Sequence, residues 1–284
     1  MQEYAKRFLG SEVEAKNAEN CFYHIIPVPY EASVSYGGGT AKGPDAILDA
    51  SDQLELFNGH SSPGERGIFT HIPVDCGKSA EVVMENIYQA VKNVLALKKF
   101  PILLGGEHSI TYGALKALKE EYGNFGIVQF DAHADLRNEY SGTKWSHASV
   151  MRRAVDDLGL PLVQLGNRAY CLEEYEARKK YRVISWDAEY LCQNTIPENL
   201  LPKDFPDKVF ITFDVDGLDP SVIPDTGTPV AGGLQWYQAL NLAKKAVENR
   251  TLIGFDVVEL APREDSVLSD FITAQLTYAL MDLV

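Results

Sequence analysis

Several short runs in this chain are apolar almost throughout, which severely limits where they can sit in a fold. FPILLGG (100–106), FGIVQFDAH (125–133), KVFITFDVD (208–216) and TLIGFDVVE (251–259) leave no polar face to present to water. Strands of that kind belong in a parallel sheet covered on both sides. CFYHIIPV (21–28), LVQLGNR (162–168) and RVISWD (182–187) are further strand candidates. Between them lie helical patterns over 79–99, 110–123 and 234–249, and a last one over 265–284. Strands alternating with helices require right-handed crossovers and helices on both faces of the sheet. The expected fold is therefore α/β, a three-layer αβα sandwich, with residues 1–284 forming a single domain.

In open parallel sheets, chemistry collects beyond the carboxyl ends of the strands, where the loops diverge. PILLGG runs into Glu107 and His108, and GIVQF runs into Asp131, His133 and Asp135. VFITF leads to Asp214 and Asp216, and LIGFDVV to Glu259. Extended backbone sends alternate side chains to the same side, about 6.6 Å apart. Such geometry would aim the DxHxD triplet at one point, with Asp214 and Asp216 repeating the pattern from another strand. Buried carboxylates so crowded repel one another and lose solvation, at roughly several kcal/mol each.

Metal ions relieve that cost. Asp131, Asp135, Asp214 and Asp216 carry four negative charges, which two divalent cations balance, while His108 and His133 bind as neutral imidazoles. Imidazoles among hard oxygens, without thiolate, favour Mn²⁺ over a structural zinc. Paired ions can deprotonate a shared water near neutral pH, the nucleophile a resonance-stabilised guanidinium needs.

Other features carry less. The net charge of −14 repels phosphate backbones and excludes nucleic acid as a natural partner. No apolar run reaches the roughly 20 residues of a membrane span, and the mixed-charge N-terminal stretch lacks a signal-peptide pattern, so the cytoplasm is the expected location. Cys21, Cys76, Cys171 and Cys192 are widely spaced, without the CxxC pairing of a zinc ribbon or redox site. His24, His60 and His71 read as structural histidines, since no ligand pattern surrounds them. Glu107 could serve as a helix cap, and YGGGTAKG (36–43) reads as a flexible loop over the site, matching neither phosphate-binding glycine motif.

Taken together, GGEHSI (105–110), DAHAD (131–135), FDVDGLDPSVIPDTGTPVAGG (213–233) and DVVELAP (256–262) resemble the signature segments of the ureohydrolase family. GGGTAKGPDAI (37–47) is similar to that family's early glycine–proline segment. The resemblance implies a parallel sheet of about eight strands, a trimeric or hexameric homo-oligomer, and two Mn²⁺ per subunit on His108, Asp131, His133, Asp135, Asp214 and Asp216. It further implies that Asp135 moves a proton from nucleophile to leaving amine. Glu259 would hold the guanidinium, and His147 in KWSHAS would contact the substrate and shuttle protons. Arg137 stands where arginases carry an asparagine, the loop SGTKWSH (141–147) is longer, and Ala148 replaces a glycine. The pattern is closer to agmatinases, so agmatine is the expected substrate. Alternatives are a guanidino acid drawn by Arg137, arginine, a zinc amide hydrolase of related architecture, or a silent polyamine-binding protein.

Overall fold

The computed structural model describes residues 2–14 and 16–284. Within these residues, eight strands form one sheet: β1 (Tyr23–Val28), β2 (Ile68–Thr70), β3 (Phe100–Gly105), β4 (Gly126–Phe130), β5 (Leu162–Leu165), β6 (Ile184–Trp186), β7 (Lys208–Asp214) and β8 (Thr251–Val258). Their order is β2-β1-β3-β8-β7-β4-β5-β6, and every neighbouring pair is parallel. The expected parallel sheet is present. β2 is an addition to the expected strands: three residues between Gly67 and His71, paired with β1 alone. An edge strand that short carries no periodicity to find.

Among the described residues, eight α-helices cover the sheet: α1 (Gly43–Ser51), α2 (Ala80–Ala96), α3 (Thr111–Tyr122), α4 (Val150–Asp156), α5 (Leu172–Tyr181), α6 (Ala188–Gln193), α7 (Trp236–Val247) and α8 (Leu268–Met281). The expected helices correspond to α2, α3, α7 and α8, each shorter at both ends than its sequence pattern. α2 illustrates why they form. Val83, Ile87, Val91 and Val94 recur every three to four residues and are fully buried. Each such side chain contributes roughly 1.5–3 kcal/mol when removed from water.

Strand alternation sorts the core into two layers. Ile25, Ile102, Leu104, Phe130, Phe213 and Val257 face the layer closed by α1, α7 and α8. Ile26, Leu103, Ile127, Phe210 and Val258 face the other, packed on α2, α3 and α4. This is the three-layer arrangement expected. No described helix is long and apolar enough to cross a membrane.

Candidate metal centre and substrate cavity

The four strands whose ends carry chemistry, β3, β8, β7 and β4, are consecutive neighbours in the middle of the sheet. Their carboxyl ends therefore open onto one place. Two glycines allow the close packing there. A β-carbon on Gly106, after β3, would lie 2.0 Å from the carbonyl oxygen of Tyr30, and one on Gly217, after β7, would lie 2.8 Å from the amide of Asp131.

The way the DxHxD residues converge differs from the expected alternation. β4 ends at Phe130, and Asp131 to Asp135 form a loop rather than extended strand. Asp131 accepts the amide of His133, and Asp135 takes a left-handed backbone (φ 52°) that turns its carboxylate inward. Asp214 closes β7, while Asp216 sits in a single 3₁₀ turn and donates its amide to the Asp214 carboxylate. Glu259, just after β8, is also left-handed (φ 67°). Non-glycine residues at positive φ are uncommon, and holding one there requires over-determined surroundings.

All six candidate ligands meet. His108 Nδ1 lies 3.1 Å from Asp131, 2.9 Å from Asp135 and 3.5 Å from Asp214. His133 Nδ1 lies 3.0 Å from Asp216 and 3.6 Å from Asp131. Two donor clusters result, His108–Asp131–Asp135 and Asp131–His133–Asp216, sharing Asp131; Asp214 belongs to neither and stands beside them, 3.5 Å from His108 Nδ1. The other nitrogen of His108 explains which atom is offered to an ion. Thr212 Oγ1 donates to Asp256 at 2.7 Å, so it must accept the Nε2 proton of His108 at 2.8 Å. The lone pair on Nδ1 then points at three carboxylates, buried and without a hydrogen bond. An acceptor facing acceptors needs a positive charge between them. That is a proton in the ion-free protein, where burial opposes charge but Asp131, Asp135 and Asp214 overcome it and hold the His108 pKa well above the usual imidazole value, or a metal ion, which this donor set fits.

Without ions, the same crowding distorts the acid–base behaviour. Burial opposes charge on His133, but Asp216 and Asp131 overcome it and push its pKa up to about 12. Burial and the neighbouring Asp131 charge raise Asp135 to about 7. Burial, with Asp216 and Asp131 nearby, lifts Asp214 well above the carboxylate range. Glu259 is raised by burial and by Glu107.

Glu259 and His147 line the same cavity as His133, Asp135, Asp214 and Asp216. Glu259 Oε1 accepts the His108 amide at 2.7 Å; among the described residues its second oxygen has no hydrogen-bond donor. A wider vestibule of about 290 Å³ continues outward past Arg137, Tyr140, Tyr170 and Thr228. The Arg137 guanidinium lies over the Tyr140 ring, 5.3 Å from its centre.

Several residues important to this architecture were not singled out by sequence reasoning. Gln129 Nε2 donates to Asp131 Oδ2 at 2.6 Å, Gln164 donates to Gln129, and Arg178 on α5 donates to Gln164, a buried chain ending on the shared ligand. Arg168 spends its guanidinium on backbone carbonyls, including Asp216 at 2.7 Å and Val230 at 2.7 Å, clamping the loop after β7. A glutamine inside each of two apolar strands was the available signal, because a buried amide demands partners. Glu107 does not cap a helix with its side chain; it accepts the amides of Ala32 and Ser33 and the hydroxyls of Ser33 and Ser109. The glycine-rich loop is tied by Glu31, which accepts the Gly39 and Ala41 amides and the Thr40 hydroxyl. Its end feeds directly into α1. His24 and His71, expected to be structural histidines, hydrogen-bond to each other at 2.9 Å.

Comparison with known proteins agrees with this geometry. The chain is 37% identical over 286 residues to the N(1)-aminopropylagmatine ureohydrolase of Synechocystis sp., covering 97% of this chain and 93% of that protein. It is 31% identical to the guanidinobutyrase of Pseudomonas aeruginosa, over 90% of this chain and 84% of the other. The crystal structure of the agmatine ureohydrolase of Thermoplasma volcanium superposes with a TM-score of 0.88 at 29% identity, covering 99% of this chain and 94% of that one. Residues 22–282 match the description of the arginase family, and the chain belongs to that family of ureohydrolases.

Proposed function

We propose that this chain hydrolyses agmatine to urea and putrescine, using two Mn²⁺ ions held by His108, Asp131, His133, Asp135, Asp214 and Asp216. The observation that carries the reading is the pair of donor clusters sharing Asp131, opening into the cavity that Glu259 and His147 line. Bound there, the ions would supply a water deprotonated near neutral pH.

The chain's own residues account for the rest. Glu259, with one oxygen fixed by the His108 amide and the other free of protein donors among the described residues, can grip the two N–H groups of a guanidinium. Asp135 has a left-handed backbone and lines the same cavity, where its carboxylate would take a proton and return it to the leaving amine. His147, at the wall between cavity and vestibule, exchanges protons with the outside. The reading also includes assembly into a cytoplasmic homo-oligomer, a trimer or hexamer, which light scattering checks.

The relative acting on N(1)-aminopropylagmatine supports a longer cationic tail as a second substrate. Arg137 in the vestibule, together with the guanidinobutyrase relative, supports a guanidino acid instead. The test is urea release by Mn²⁺-loaded protein from agmatine, N-aminopropylagmatine, arginine, guanidinobutyrate and guanidinopropionate compared together. Agmatine turned over fastest is the expected result. A faster guanidino acid would reverse the substrate choice, and binding of agmatine without urea from any compound would overturn the activity.

A further inference from the structure

The histidine of the cavity wall is held by a relay that reaches back to a buried carboxylate. Glu107, fully buried, accepts the amides of Ala32 and Ser33 at 2.6 Å on one oxygen and the hydroxyl of Ser33 at 2.8 Å on the other. The proton of Ser33 Oγ is thereby committed to Glu107. That oxygen can then only accept from His147, and it faces two of its nitrogens: the backbone amide at 3.0 Å and ring Nδ1 at 3.1 Å. Ser146 Oγ is a more distant neighbour of Nδ1, at 3.4 Å. On the opposite side of the ring, Ser35 Oγ stands 2.9 Å from Nε2 and also reaches the Tyr140 hydroxyl at 3.3 Å.

We infer that Ser33, anchored by Glu107, is a positioning residue that fixes His147 as the Nδ1–H tautomer and makes Nε2, which faces Ser35 Oγ, the atom that accepts a proton at the mouth of the cavity. The inference rests on the proton-shuttling role proposed for His147. Neutral imidazole has one donor and one acceptor nitrogen, so committing Nδ1 as donor decides which atom does the chemistry. When Nε2 takes up a proton, the ring becomes a cation whose Nδ1–H still donates to Ser33, and Ser33 still donates to Glu107. The hydroxyl passes the carboxylate's field to the ring without itself gaining or losing a proton. The proton on Nε2, taken up from solvent, then passes to the amine that Asp135 has already released, which departs as an ammonium ion, and the resting tautomer is restored. Thr212 stands between Asp256 and His108 in the same way, so the fold uses a hydroxyl to orient a histidine twice.

Two measurements test this. Nitrogen-15 histidine spectra of the ion-free protein at pH 8, with His147 assigned by its absence in His147→Asn, should show a protonated Nδ1 and an unprotonated Nε2. Ser33→Ala should move the population toward the Nε2–H form, and Ser33→Thr should restore it. In Mn²⁺-loaded protein with the guanidine it hydrolyses, Ser33→Ala should lower kcat by about tenfold or more, with KM and metal content within twofold and Ser33→Thr recovering most of the loss. An Nε2–H tautomer in the unsubstituted protein, or a Ser33→Ala variant with unchanged kcat, overturns the proposal. So does a loss of kcat that comes with lost metal, because the serine would then be supporting the ligand set. Should no guanidine be hydrolysed at all, the proposed activity fails while the tautomer measurement still decides the relay.

Discussion

Gly217 sits so close to Asp131 that any β-carbon would come within 2.8 Å of the Asp131 amide nitrogen and 3.0 Å of the Phe130 carbonyl carbon. Both obstacles are backbone, so no rotamer change can relieve the clash. Gly217→Ala must therefore push the loop carrying Asp216 away from the shared ligand Asp131. The expected outcome is a loss of about 1–3 kcal/mol of stability, read by urea denaturation, together with fewer than two metal ions per chain by elemental analysis. Full metal content in this variant would show that the two loops tolerate separation.

The ligand and shuttle roles separate by metal content. Asp131→Ala or Asp216→Ala removes a donor from a cluster, and each is expected to lower bound Mn²⁺. His147→Ala is expected to leave the metal in place and slow turnover by roughly 10²–10⁴-fold. A His147→Ala protein stripped of metal would move that histidine into the ligand set.

Behind Asp131 runs the amide chain from Arg178 through Gln164 to Gln129. Gln129→Leu removes the donor to Asp131 Oδ2 and leaves the Gln164 amide without its acceptor on Gln129. Outer hydrogen-bond partners of metal ligands are typically worth 10–100-fold in affinity. A Mn²⁺ titration should therefore show binding weakened by about tenfold or more, with a stability loss of about 1–3 kcal/mol from the one Gln164 N–H left without a partner, the other still donating to Ala134. Unchanged affinity would mean that the carboxylate needs no such support.

Far from the site, the His24–His71 pair predicts a pH effect on stability. Burial and the adjacent His24 lower the pKa of His71 from 6.5 to about 4, and burial lowers His24 as well. A histidine depressed in the folded state favours folding while neutral. Its contribution is complete above pH 6.5 and is lost as pH falls toward 4, by up to about 3 kcal/mol from His71 alone. The urea midpoint should fall across that window, and His71→Gln should flatten the slope. An equally steep slope in the variant would place the acid sensitivity elsewhere.

The buried cluster of acids and histidines was legible in the sequence because apolar strands end abruptly in such residues, and an α/β sheet has only one edge where they can gather. Asp131, Asp214 and Glu259 needed no knowledge of strand order. What hid was whatever depended on tertiary partners. Ser33 is one serine in a loop, and nothing local says that Glu107 and His147, more than 70 residues away, will close on it. α5 (LEEYEARKKY) shows no apolar stripe because the face it buries includes Glu174 and Arg178, each hydrogen-bonded to the loops it supports. α1 opens with Gly43 and Pro44, and the glycines before it read as a loop continuing past that point. The left-handed turns at Asp135 and Glu259 were equally invisible, since neither residue type announces positive φ as glycine does.

The place of β8 has a consequence for how this protein is born. The strand nearest the C-terminus inserts between β3 and β7, in the centre of the sheet. Until residues 251–258 have emerged from the ribosome, β3 has no partner on that side, and His108 cannot be brought up to the aspartates of β4 and β7. Late closure of a long-range parallel pairing is a slow kind of step. Nascent chains halted before Thr251 should accordingly fail to bring His108 up to Asp131 and Asp135, and bind no metal ion there.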